Sequence, residues 1–165
     1  MEDIKNNKKN NMKLETRSST RNHVFNLVFQ VPFYSSYDFN NPEDANNLLI
    51  SYYELLEQEE EFELKYDEDF TPFKINKEVV EVQYEGILEN LADIDSIINE
   101  NADGWEISRI DKADLAILRL AVYEIIFDDN IPNVVAIDEA VELAKDYSSE
   151  KSYKFINGVL AKVNN

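Results

Sequence analysis

The 165-residue chain has no cysteine. That excludes disulfides, thiolate metal sites and thiol nucleophiles, and it suits a reducing cytosol. Three glycines and four prolines leave room for long helices. Gly86, Gly104 and Gly158 stand alone, so no glycine-rich phosphate loop exists. No apolar run reaches the length of a membrane span. The start, MEDIKNNKKNNMKLET, lacks the apolar stretch of a secretory signal. There is a single histidine, His23, beside an apolar helical face. Such a residue is more often packed than catalytic. No Ser–His–acid set, EF-hand loop or HExxH helix can be assembled, so no catalytic residue, metal or cofactor is expected.

Acidic groups dominate what is there, giving a formal net charge of −18. The distribution is uneven. Residues 1–24 carry six basic groups (Lys5, Lys8, Lys9, Lys13, Arg17 and Arg21) against three acidic ones, a net of +3, which leaves −21 for the rest. Charges farther apart than about 8 Å are largely screened at physiological salt. A local basic face can therefore bind nucleic acid despite a distant acidic one, and the acidic face suits a basic protein partner.

Residues 1–16 are polar, rich in Asn and Lys and without helical period, and read as a disordered basic tail. Apolar residues then recur at helical spacing in six segments. The first begins near Ser18–Thr20, carries Val24, Phe25, Val28, Phe29 and Phe33, and is kinked or ended by Pro32. Asn41-Pro42 starts a second, which runs into an acidic stretch from Glu54 to Asp69 with nine carboxylates and one lysine. Val80, Tyr84, Ile87, Leu91, Ile94 and Ile98 predict one continuous third helix. The fourth, LAILRLAVYEIIF, is apolar nearly all round and belongs at the centre of a bundle. The fifth turns Ile137, Ala140, Val141 and Ala144 inward. The sixth buries Phe155, Ile156, Val159, Leu160 and Val163. No strand pattern appears. The segments group as residues 17–66 and 76–165, two helical subdomains of one domain spanning 17–165, joined by the acidic connection.

Two regions are candidates for binding nucleic acid. Arg17 and Arg21 lie four apart on one face of the first helix, where guanidinium groups would grip phosphates. The competing reading is a solvated, charged terminus. Lys151, Tyr153, Lys154, Phe155 and Asn157 interleave cations, rings and an amide at a helix start, a mixture suited to single-stranded RNA. Against that, Phe155 reads equally well as core and the lysines as surface. Gly158 predicts close approach of another helix, because glycine inside a helix costs about 1 kcal/mol.

The blocks LRLAVYEII, DDNIP, VAIDEAVELAK and KFINGVL, in that order over Ile110–Val163, resemble the C-terminal half of the NusB family. RSSTRNHVFNLVFQ resembles the family's N-terminal helix, with Ser18, Ser19 and Thr20 interrupting its arginine run. The resemblance implies an all-α, NusB-like fold of two packed three-helix bundles. It implies a cytoplasmic, non-enzymatic transcription antitermination factor that binds boxA-like RNA. It also implies a NusE-type ribosomal protein partner within the RNA polymerase antitermination complex that suppresses premature termination in ribosomal RNA operons. By the same resemblance, RNA meets Arg17, Arg21, Lys151, Tyr153, Lys154, Phe155 and Asn157. Whether the free protein forms a homodimer is left open. The interrupted arginine run supports a second expectation, a helical protein-interaction module that has lost RNA binding.

Overall fold

The computed structural model describes residues 19–72 and 75–164. The expected N-terminal tail and Arg17 lie outside the described residues. Helix α1 is helical over 19–30, and Pro32 converts its end into a 3-10 turn, Val31–Phe33. Six further helices follow: α2 (Pro42–Tyr66), α3 (Lys77–Glu89), α4 (Leu91–Asn101), α5 (Lys112–Phe127), α6 (Asn133–Tyr147) and α7 (Glu150–Val163). The described residues contain no strand, and no helix among them is long and apolar enough to cross a membrane.

Local chemistry sets the boundaries. Asn41 caps α2 by accepting from the Glu43 amide at 3.0 Å, with Pro42 in the first turn. Asp111 caps α5 through the Ala113 amide at 3.0 Å. The first part of the acidic stretch is the exposed end of α2, which runs to Tyr66. The single third helix expected from periodicity is two. The chain breaks at Asn90, whose backbone leaves helical geometry (φ −107°, ψ 15°) and whose side-chain amide donates to the Gly86 carbonyl at 2.8 Å. Periodicity survives the break because Ile94 and Ile98 remain fully buried.

Helix α5 is the central element. It packs against α3, α4, α6 and α7, and Leu115 to Glu124 are buried without interruption. Three charged residues on this helix are buried, and each has a partner on another segment. Asp114 accepts from Ser148 and Ser152. Arg119 donates two hydrogen bonds of 2.9 Å to Asp95 of α4. Glu124 receives Arg21 of α1. Among the described residues no buried side-chain polar atom lacks a partner, as a low-dielectric interior requires.

The two glycines inside helices exchange the roles that helix chemistry alone suggests. A Cβ on Gly86 would stand 2.4 Å from the Tyr123 hydroxyl and 2.7 Å from its ring, so α3 and α5 approach here closely enough to require glycine. Gly158 is exposed, and a Cβ there would meet nothing within 4 Å. The expected helix approach at Gly158 is thus corrected: it occurs at Gly86.

His23 is packed on α2. Its Nδ1 lies 2.7 Å from the Tyr52 hydroxyl, and burial lowers its pKa from the ordinary 6.5. The folded state therefore favours neutral imidazole. The stability this contributes is complete above about pH 6.5 and is lost as pH falls toward the lowered folded value. In urea unfolding at pH 7.5 and 5.5, the wild type should lose more stability on acidification than His23→Gln. Equal losses would show that His23 does not titrate on unfolding.

Candidate nucleic-acid interface

The start of α7 is built around a buried carboxylate. Ser149 caps the helix, its side chain accepting from the Ser152 amide at 3.3 Å. Asp114 of α5, itself buried, accepts from the Ser148 and Ser152 hydroxyls, the latter at 2.8 Å. The Ser148-Ser149-Glu150 turn thus does more than cap: with Ser152 it fastens the α6–α7 junction to the central helix. The first two turns of α7 inherit a fixed orientation.

Those turns gather the C-terminal candidates. Lys151, Lys154 and Asn157 are exposed and Tyr153 is half-buried. Lys154 lies 3.4 Å from Glu150 in a solvated pair one turn apart, which a phosphate could displace at little cost. Lys145 of α6 stands 5.9 Å from the centre of the Tyr153 ring, a cation–π arrangement. Tyr153, Lys154 and Asn157 face Asp138, Glu142 and Lys145 across a groove of about 430 Å³ between α6 and α7. The groove therefore offers two cations, a ring and an amide, bordered by two carboxylates. Lys145 was absent from the sequence candidates because it belongs to the outward face of a different helix.

Phe155 anchors α7 to the core and touches the turn before α5. Half-buried, it packs against the core, yet its ring also meets Trp105 edge-on at 6.3 Å. Of the two readings posed by the sequence, the structure shows the core contact, with the remaining exposed part of the ring beside Trp105.

Arg21 departs from expectation. It is 8% exposed. Its Nε and Nη2 donate to the two oxygens of Glu124 at 3.0 and 2.7 Å, and Nη1 lies 3.4 Å from Glu139 of α6. Burial alone would lower the guanidinium pKa, but the hydrogen bond and charge of Glu124, with Glu139, hold it above the ordinary value. Burial pushes the Glu124 carboxyl up, against the pull of Arg21. The two hydrogen bonds from the guanidinium, which does not deprotonate, favour the charged carboxylate and so oppose the effect of burial. Where the sequence suggested a phosphate-gripping group, the structure shows Arg21 buried and directed at Glu124 and Glu139, holding α1 to α5 and α6.

A sequence model of the NusB family matches residues 18–165. The chain belongs to the NusB family. It is 44% identical over 113 residues to the transcription antitermination protein NusB of Agathobacter rectalis, covering 68% of this chain and 86% of that one. Among solved structures it is similar to NusB of T. maritima, with 33% identity, a TM-score of 0.68 and coverage of 90% of this chain and 89% of that one. It also shares its fold (TM-score 0.67, 23% identity) with a chain of the complex of antitermination factors NusB and NusE with dsRNA, over 91% of this chain and 96% of that one. The NusB-family match begins one residue after Arg17 and takes in both α1 and the α7 groove.

Proposed function

We propose that this chain is a non-catalytic, cytoplasmic transcription antitermination factor. With a NusE-type ribosomal protein it binds a boxA-like single-stranded segment of nascent RNA within the RNA polymerase antitermination complex, suppressing premature termination in ribosomal RNA operons. The observation that carries the reading is the fastened start of α7, with Lys151, Lys154, Tyr153, Asn157 and the outer side of Phe155 in two turns and Lys145 across the groove. Phosphates take the lysines and unstacked bases lie on the rings. The strongly acidic remainder of the chain suits a basic ribosomal protein. One observation favours the alternative of an interaction module without RNA binding: the buried Arg21 removes a cation from the RNA surface.

Anisotropy of a labelled boxA-like RNA, with and without the ribosomal partner at two salt concentrations, separates the readings. Antitermination predicts tighter binding with the partner and a fall with salt. Phe155→Ala should weaken binding by about five- to 150-fold, the equivalent of about 1–3 kcal/mol for a stacked base. Lys154→Gln should reduce the salt slope by about 0.7. Both should exceed the effect of Lys5→Gln. Circular dichroism checks that Phe155→Ala remains folded. Undetectable binding in every condition would establish the interaction-module reading.

A further inference from the structure

Trp105 is the chain's one tryptophan, and 52% of it is exposed. Exposure alone does not set it apart, since Phe33, Phe62 and Tyr66 are more exposed; its setting does. The turn that carries it is held at several points. Asp103 and Gly104 both take positive φ (48° and 84°), and the Trp105 amide donates to the Ala102 carbonyl at 3.1 Å. The Ile107 amide donates to the Asn99 side chain at 3.1 Å, and Asp103 pairs with Lys162 of α7. The indole is displayed by an ordered turn, edge-on against Phe155.

The same side of α7 contains an unexplained glycine. Phe155, Gly158 and Lys162 follow one another at steps of three and four, so they share a face. The turn touches the first through Trp105 and the last through Asp103. Gly158, between them, is exposed and has no neighbour that a Cβ would strike. Glycine weakens a helix interior, and nothing within the fold requires it here. A flat ligand lying close to the α7 backbone would.

We propose that Trp105, Phe155 and Gly158 form a slot for one unpaired RNA base, with the indole as its stacking wall and the glycine as its floor. This rests on the RNA-binding reading above. A shallow depression of about 610 Å³, lined by Asn99, Gly104, Glu106, Ile107 and Ser108 but not by Phe155 or Gly158, adjoins the slot through the indole. The Glu106 carboxylate and Ser108 hydroxyl on it are of the kinds that hydrogen-bond base edges. Asp103 and Glu106 disfavour phosphate beside the indole. Lys151 and Lys154 lie toward the helix start. A strand would therefore place its backbone over the lysines and turn a base toward Trp105.

The lone tryptophan supplies the test. A labelled single-stranded boxA-like RNA is titrated with the ribosomal partner present, following RNA anisotropy, and in parallel an unlabelled RNA is followed by the difference in emission between wild type and Trp105→Phe. Binding should quench the Trp105 signal, and Trp105→Ala should weaken affinity about tenfold. Gly158→Ala should raise Tm by about 2–4 °C and yet weaken RNA binding several-fold, a combination that a purely structural glycine would not give. RNA binding with an unchanged Trp105 signal and wild-type affinity in both variants would overturn the slot and leave RNA recognition by α7 standing. No binding by the wild type would overturn both.

Discussion

Arg21→Ala is expected to destabilise the protein by about 3–5 kcal/mol, because it leaves Glu124 as a buried carboxylate stripped of its main partner. Glu124 is only 1% exposed and takes two hydrogen bonds from that guanidinium. Against the roughly 5–15 kcal/mol of net stability common to domains, such a loss would be visible as a large drop in the urea midpoint. The double replacement Arg21→Met with Glu124→Leu removes both charges and should recover most of the loss. It also separates structure from recognition. If Arg21 only holds α1 in place, the double variant keeps wild-type RNA affinity and salt dependence. A single-variant loss below about 1 kcal/mol would mean that the pair behaves as a solvated surface bridge.

Gly86→Ala is the second large effect. Alanine would gain about 1 kcal/mol of helix propensity, yet its Cβ would stand 2.4 Å from the Tyr123 hydroxyl. Overpacking of this kind costs about 1–3 kcal/mol, so the variant should be destabilised despite the better helix former. Because the clash is with a side chain, Tyr123→Leu in the same molecule should relieve it, and the two changes should be strongly non-additive. A stabilised Gly86→Ala would show that the ring moves aside freely. Gly158→Ala carries the opposite sign, since nothing crowds that position.

These two sites mark where the sequence was legible and where it was not. Helical periodicity located most of the buried faces, though Phe33 is exposed and Val141 lines the α6–α7 groove, and the Asn41 and Asp111 caps were readable because capping is local. The break at Asn90 was not: the apolar spacing passes through it, and the amide that turns back to Gly86 gives no periodic signal. Arg21 looked like a free cation because its partner is 103 residues away. A clue existed in DLAILRLAVYEIIF, residues 114–127. A helix buried nearly all round that still contains Asp114, Arg119 and Glu124 must find partners for them, and it does so in the Ser148–Ser152 junction, Asp95 and Arg21. The grouping of Lys151 to Asn157 was visible from helix spacing. Trp105 and Lys145 were not, because they reach the same region from a turn and another helix.

The proposed division of labour, with a buried arginine that positions α1 and RNA bound at the start of α7, is most directly tested by backbone NMR of the full chain. A boxA-like oligomer would be added with and without the ribosomal partner. Amide shifts should concentrate in Lys151–Asn157 and Lys145, while the Arg21 and Glu124 side-chain contact persists in the bound state. Shifts confined to α2, or release of Arg21 from Glu124 toward the RNA, would contradict it.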